Sequence, residues 1–392
     1  MPITGFVGEL NPLHNGHKLL IDTLKKNGDT VVCALSSNFV QRGETAILSK
    51  SNRTESALCC SVDLVVEIPV PWSMSTAQNF ALGGVSQLAA MGCDTLAFGS
   101  ECGDIASLRE ASKLEEHPQF ARLLSEKLKT GITFAAAREQ VATELGYASE
   151  VFAMPNDALA VEYLCAARKI GWTPNLFALK RQGVGHDQTT TQNNMASASL
   201  LRQILKEGKI GYAERFLPPF MQGFISPEII SDFSLLETAV LAVLRRQSSV
   251  DFLRLPDLSE GLENKLAFSV QAAKDLDELY RLIKSKRYPL ARVRRLVLSS
   301  FLGIDNSFFG KRPPYVRVLG FNKKGETHLK TCVSPNIPVV TRVSQIKELD
   351  DFSKSVFATE CRSTDLFALT FKPALPCGGE YKNKLLKTEE FT

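Results

Sequence analysis

The chain has 392 residues, 44% hydrophobic and 22% charged, with a formal net charge of +4. It is longer than the ~100–200 residues of one domain and ordinary in composition, which excludes a small stapled scaffold and a disordered chain. No run of about 18 apolar residues is available to span a bilayer, and Met1-Pro2-Ile3-Thr4-Gly5-Phe6-Val7 carries no basic leader, so no membrane partner is expected and the location reads as cytoplasmic.

Along the chain, short apolar runs at residues 3–7, 30–35, 62–68, 95–98 and 175–179 alternate with helical periodicity. The alternation predicts an α/β fold with a doubly wound parallel sheet. A first helix is expected to start near Asn15 or Gly16, bury Leu19, Leu20 and Leu24, and stop at Gly28. Further helices are expected over residues 75–91, ending at Gly92, and 157–170, ending at Gly171. Residues 101–147 read as a helical insertion with ordinary packing faces and no catalytic role.

After Arg202 the pattern becomes helical at residues 199–207, 226–246 and 262–297. Within it, Arg281, Lys284, Lys286, Arg287, Arg292, Arg294 and Arg295 follow one another with no acidic residue between, a local excess suited to a phosphate-rich partner. At Arg312-Pro313-Pro314 the pattern changes again, and Tyr315 to Phe321 reads as a strand. Three domains are therefore expected: residues 1–205, an α/β domain; 206–311, a helical basic domain; 312–392, a small α+β domain. The nine cysteines, an odd number without Cys-x-x-Cys spacing, read as reduced thiols.

The chemistry concentrates after the first predicted strand. In open α/β sheets ligands sit beyond the carboxyl ends of the strands, where a helix N-terminus presents N–H groups. The segment Val7-Gly8-Glu9-Leu10-Asn11-Pro12-Leu13-His14-Asn15-Gly16-His17-Lys18-Leu19-Leu20 occupies that place. Attack on the α-phosphate of ATP builds charge on non-bridging oxygens, so preorganised donors and magnesium lower the barrier, and His14 and His17 are suited to donate. Two histidines near a helix start can also merely cap it; the intervening glycine and the strand-to-helix context set this pair apart.

The segment resembles the His-x-Gly-His nucleotidyltransferase superfamily, which implies cleavage between the α- and β-phosphates. Ser197-Ala198-Ser199-Leu200-Leu201-Arg202 resembles that superfamily's second signature. The resemblance implies that Ser197, Ser199 and Arg202 hold the β- and γ-phosphates, whereas read alone such serines are helix caps.

A narrower resemblance extends over nearly the whole chain. Asn38-Phe39-Val40-Gln41-Arg42-Gly43-Glu44, Val62-Asp63-Leu64-Val65-Val66-Glu67-Ile68-Pro69, Phe98-Gly99-Ser100-Glu101, Asn156-Asp157, Lys180-Arg181, Gly185-His186-Asp187, Pro314-Tyr315-Val316-Arg317-Val318-Leu319-Gly320-Phe321 and Thr364-Asp365-Leu366 look like the bacterial tRNA-Met cytidine acetate ligase family. That family implies activation of acetate by ATP to acetyl-adenylate and pyrophosphate. The acetyl group then passes to the 4-amino group of the wobble cytidine of elongator tRNA-Met.

By the same resemblance Gly99, Asn156, Arg181 and Gln182 join the ATP contacts. Leu10 and Leu13 stand where the family usually has aromatics and Gln182 replaces an apolar residue, which bears on adenine packing. Lys284, Arg287, Arg292, Arg294 and Arg295 fit contact with a tRNA backbone, or a solvated basic face. Arg42, Lys50 and Arg53 are open between a carboxylate, RNA and solvent. Two other functions remain open here, a small-molecule adenylyltransferase of the same superfamily and a non-catalytic tRNA-binding module.

Overall fold

The computed structural model describes residues 2–181, 195–259, 261–332 and 337–388. Among the described residues ten strands occur in chain order: β1 Ile3–Gly8, β2 Thr30–Ser36, β3 Phe39–Val40, β4 Glu44–Thr45, β5 Leu64–Ile68, β6 Thr95–Ser100, β7 Asn175–Lys180, β8 Val316–Phe321, β9 Val339–Val340 and β10 Leu386–Lys387. The central sheet runs β10-β8-β5-β2-β1-β6-β7, with β9 also paired to β8, while β3 and β4 form a separate hairpin. From β5 to β7 every pairing is parallel. The order reverses between β1 and β6, and that switch point opens the crevice in which such sheets bind ligands.

The doubly wound α/β expectation therefore matches. All seven residues of β2 are buried because both faces of a parallel sheet are covered. Val32 and Ala34 face one apolar cluster, Val31, Cys33 and Leu35 the other. The helix Ala77–Ala90 packs closely at two glycines, Gly83 against the short helix Val70–Ser73 and Gly84 against β1. A Cβ on Gly83 would stand 2.5 Å from Trp72 Cβ, and one on Gly84 would stand 2.6 Å from Val7 Cγ2.

The first helix is Asn15–Lys26, and it buries Leu20, Ile21 and Leu24. Leu19, expected in the core, instead lines the ligand cleft. Helix Pro155–Ile170 ends at Gly171 in the left-handed conformation, as the glycine stop predicts. Residues 226–246 are not one helix: 3-10 turns at Pro227–Ile229 and Phe233–Leu236 precede the helix Glu237–Arg245. Residues 262–297 divide into Leu262–Ala272, Leu276–Ile283 and a helix Leu290–Leu302. Asp275 caps the second of these by accepting from Glu278 N at 2.7 Å, and Pro289 precedes the third.

The expectation of a separate C-terminal α+β domain differs from the structure. β8 pairs antiparallel with β5 and so extends the central sheet, covering an edge that would otherwise offer unpaired N–H and C=O groups. One buried cluster runs from Val32 through Val240, Leu244 and Leu296 to Phe371. Helix Asp351–Phe367 is fastened beside it by charge. Lys50 Nζ, buried, is hydrogen-bonded to Glu67 and lies 2.6 Å from both Glu360 and Glu380. Arg317 pairs with Glu380 and lies 3.5 Å from Glu67. The three carboxylates are close enough together to hold a metal, but the Lys50 ammonium already supplies the cation. Among the described residues no helix is long and apolar enough to cross a membrane.

Candidate active site

At the end of β1 the chain turns through Leu10, whose φ of +44° places it in the left-handed region, and enters the first helix at His14. His14 is the N-cap. Its Nδ1 accepts from Gly16 N at 3.0 Å, while His17 Nδ1 accepts from His14 N at 3.3 Å. The two rings lie 3.9 Å apart, tilted by 31°. Since both Nδ1 atoms act as acceptors, the proton of each neutral ring sits on Nε2, which becomes a donor. Burial, and secondarily the Arg181 charge, push the His17 imidazolium down to about 3. The neutral form is therefore the one present at neutral pH. The glycine between the histidines leaves room for the His14 ring, because a Cβ on Gly16 would stand 2.9 Å from His14 Cε1 and displace it.

The helix start is thus both a cap and a row of donors. Leu10 and Leu13 are completely buried beneath it with Phe6, Ile21 and Leu24. They form the floor of the signature; Leu10 also borders the cleft, whereas Leu13 does not.

Asn11 and Glu9 tie the segment to its surroundings. Asn11 Oδ1 accepts from Ile47 N at 2.7 Å and its carbonyl accepts from Arg202 Nη1 at 3.0 Å. Glu9 Oε1 accepts from Gln41 N at 2.9 Å, and burial raises the pKa of this carboxyl. Arg53 is fully buried and donates to the carbonyls of Glu9 at 2.7 Å, Ser36 at 3.0 Å, Ser37 at 2.7 Å and Leu48 at 3.0 Å. Neither Lys50 nor Arg53 is placed to meet RNA; carboxylates claim one and carbonyls the other.

The second signature opens another helix, Ala198–Lys206, with Ser197 as N-cap accepting from Leu200 N at 3.2 Å. Arg202, one turn on, spans from Ser199 Oγ at 3.3 Å to the Asn11 carbonyl. Two helix N-termini, each favourable to anions, therefore border one cleft.

That cleft has a volume of about 1340 Å³. Of the expected ATP residues, Val7, Gly8, Glu9, Leu10, Asn11, His14, Gly16, His17, Leu19, Leu20, Gly99, Asn156, Arg181, Ser197 and Arg202 line it. Pro12, Leu13, Asn15, Lys18 and Ser199 do not line it. Gln182 and the Gly185-His186-Asp187 motif lie outside the described residues.

Two acids that carried no assigned role hold Asn156 in place. The Glu101 carboxylate accepts from the main-chain N–H of Asn156 at 3.1 Å and of Asp157 at 2.9 Å, at the start of the helix Pro155–Ile170. Asp157 in return accepts from Glu101 N at 2.9 Å and Cys102 N at 3.0 Å. The motifs Phe98-Gly99-Ser100-Glu101 and Asn156-Asp157 contained this clasp, but only the fold brings them together.

The basic run divides. Lys284 and Arg287 are exposed, with Arg287 at the cleft rim. The remaining three are engaged by protein. Arg292 donates to the Asp257 carbonyl at 2.7 Å, Arg294 pairs with Glu44, and Arg295 lies 3.4 Å from both the Gln41 carbonyl and Asp257 Oδ2. Arg294 and Arg295 hold the β3–β4 hairpin against the third helical segment so closely that a Cβ on Gly43 would meet Arg295 N at 2.6 Å. The insertion at residues 101–147, read as ordinary packing, supplies one wall of the cleft through Phe120, Leu124, Phe134 and Arg138.

Comparison with known proteins agrees with this architecture. The family model described as HIGH Nucleotidyl Transferase matches residues 1–379. A tRNA(Met) cytidine acetate ligase of Thermoanaerobacter sp. is 35% identical, covering 99% of this chain and 100% of that protein. One of Clostridium perfringens is 33% identical, covering 97% of this chain and 98% of that protein. Among solved structures, apo Thermotoga maritima TmcAL superposes with a TM-score of 0.91 at 26% identity, covering 99% of this chain and all of that one. The same Thermotoga maritima protein bound with alpha-thio ATP gives a TM-score of 0.88.

Proposed function

The chain belongs to the HIGH nucleotidyl transferase family and, within it, to the tRNA(Met) cytidine acetate ligases, and from that premise we propose how its cleft performs the two steps of such a ligase. In the first, an acetate oxygen attacks the α-phosphorus of ATP, the bond to the β-phosphate breaks, and acetyl-adenylate and pyrophosphate form. In the second, the 4-amino nitrogen of the wobble cytidine of elongator tRNA-Met attacks the acetyl carbonyl carbon. AMP departs, the amine gives up a proton, and acetylcytidine results.

Each residue has a physical task in this scheme. The Nε2–H donors of His14 and His17 face charge that grows on the α-phosphate oxygens. Ser197 and its helix N-terminus, with Arg202, take the departing pyrophosphate. Gly99, Asn156 and Arg181 line the part of the cleft assigned to the nucleoside and α-phosphate. Magnesium carried by ATP would add charge neutralisation beside these donors. Acetate is a weak nucleophile, so proximity and neutralised charge count for more than a general base. Lys284 and Arg287 are assigned to the tRNA backbone, Arg294 and Arg295 to positioning the hairpin, and Arg292 to holding the Asp257 main chain. The reading places the enzyme in the cytoplasm with its tRNA.

The observation that carries this reading is the Arg202–Asn11 hydrogen bond, which joins the two phosphate signatures at one cleft. The test is incubation with ATP, acetate and total tRNA, followed by nucleoside analysis. Acetylcytidine in tRNA-Met is the expected product; its absence, or its appearance without ATP, would overturn the assignment. A small-molecule adenylyltransferase would release pyrophosphate with no dependence on acetate, and a tRNA-binding module would release none.

A further inference from the structure

The cleft is larger than one small ligand needs: about 1340 Å³, against roughly 300–1000 Å³ for an ordinary small-molecule pocket. Beyond the phosphate signatures it extends into a wing bounded by the helices Phe120–Lys129 and Phe134–Glu144 and by the helix Pro155–Ile170. This wing is lined by Phe120, Leu124, Phe134, Phe152, Leu159 and Tyr163.

Within that apolar wall stands one ion pair. Arg138, 4% exposed, is hydrogen-bonded through Nη1 to Glu162, which is equally buried and also accepts from Gln78 Nε2 at 3.3 Å. The guanidinium lies 4.6 Å from the Phe152 ring centre. Its Nε and Nη2 donors have no hydrogen-bond acceptor, although Nη2 lies 3.1 Å from Glu115 Oε1 outside hydrogen-bond geometry. These two N–H groups form one edge of the planar guanidinium, a fork that satisfies two adjacent acceptors at once. Buried donors without acceptors are costly, so the arrangement asks for a ligand that brings two. Glu115, 39% exposed along its side chain, has room to withdraw from that edge.

We propose that this wing is the subsite for the acceptor nucleobase, with Arg138 as its specificity-determining residue, an inference that rests on the proposed ligase function. Enzymes that modify a base take it out of the stack and read its edge between apolar side chains, and RNA-binding sites stack such bases on aromatic rings. Cytosine presents O2 and N3 as neighbouring acceptors, matching the Nε/Nη2 fork. Uracil places an N–H between its carbonyls, and adenine places one ring acceptor beside an amine, so neither fits. Reading through O2 and N3 leaves the 4-amino group unengaged and able to attack. Phe134, 42% exposed, supplies a stacking face.

The test separates the two half-reactions in the full-length enzyme, using acetate-dependent ATP–pyrophosphate exchange for adenylate formation and acetylation of a tRNA-Met transcript for transfer. Phe134→Ala removes the stacking face at a part-exposed position, and Arg138→Lys keeps the charge opposite Glu162 while removing the fork. Both are expected to keep exchange within about two-fold and to slow transfer about ten-fold or more, the range of base–aromatic stacking losses. Exchange that falls with a raised KM for ATP would mean that the wing holds adenine, and transfer within two-fold of wild type would mean that it holds no base; either overturns the proposal. Wild-type enzyme without acetate-dependent exchange would instead overturn the ligase reading, and the subsite with it.

Discussion

Arg202 donates from Nη1 to the main-chain carbonyl of Asn11 at 3.0 Å, so the helix that begins after Ser197 is fastened to the segment that presents His14 and His17. Residues 191 positions apart in the chain thereby share one hydrogen bond at the cleft wall. A charge-assisted bond of this kind contributes ~1.5–3 kcal/mol. Arg202→Gln is expected to slow acetate-dependent pyrophosphate exchange by about 10–100-fold while shifting Tm little, since the side chain is only part-buried. Exchange at the wild-type rate would show that the two signatures act independently.

Gly16→Ala tests the packing of the histidine pair. The new Cβ would sit 2.9 Å from His14 Cε1, so the His14 ring must swing away and lose its bond to Gly16 N. Removing one oxyanion donor typically costs about 10²–10³-fold in rate, and a loss of that order is expected in single-turnover adenylate formation. His14→Ala and His17→Ala should match it, with the circular dichroism spectrum unchanged.

The depressed His17 pKa gives a pH dependence with a definite sign. In the folded protein the ring protonates only near about 3, against an ordinary value of 6.5. Between those values the unfolded chain therefore binds a proton that the native chain does not, and stability falls as pH drops from about 6.5 toward 3, by at most about 1.4 kcal/mol per pH unit. Urea unfolding at pH 7 and pH 5 is expected to show a smaller difference for His17→Gln than for wild type. Bound ATP acts in the opposite direction, so the His17 Cε1–H resonance should titrate at higher pH with a non-hydrolysable analogue present.

Lys50→Met leaves Glu67, Glu360 and Glu380 buried around a missing ammonium. Breaking a buried ion pair from one side costs ~3–5 kcal/mol, and a drop of that order in unfolding free energy is expected from denaturant titration. Burial and the neighbouring Glu360 charge already hold Glu67 up at about 7. A carboxyl with a raised folded-state pKa loses stability as pH rises through it, so the variant should be less stable at pH 8 than at pH 5.

The basic run should separate by residue. Arg287→Ala is expected to weaken tRNA binding and to reduce the slope of log affinity against log salt by about 1, the signature of one lost phosphate contact. Arg295→Ala should leave that slope unchanged. It would instead lower pyrophosphate exchange and Tm, because Arg295 holds the Gln41 carbonyl and Asp257. Filter binding at several salt concentrations distinguishes the two.

Much of the site was legible because it is built from local signals. The position of His14-Asn15-Gly16-His17 between a strand and an amphipathic helix follows from periodicity and capping over a few residues, and so does the stop at Gly171 with its φ of +74°. The same local rules placed Ser197 at a helix start. They could not separate Arg287 from Arg294, which look alike in a basic run; one is exposed and the other meets Glu44, 250 positions away.

By itself the sequence determined the alternation that makes a doubly wound sheet, the strand-to-helix junction that carries the two histidines, and a family resemblance spanning the chain. Only the tertiary structure decided that β8 extends the same sheet, that Glu101 and Asp157 clasp the loop after β6 to its helix, and that the insertion walls a wing of the cleft around Arg138. The physical reason is one of range. Periodicity, caps and glycine stops act between residues three or four apart, whereas a buried charge takes whichever partner the packed chain brings to it, and that choice is written in no local pattern.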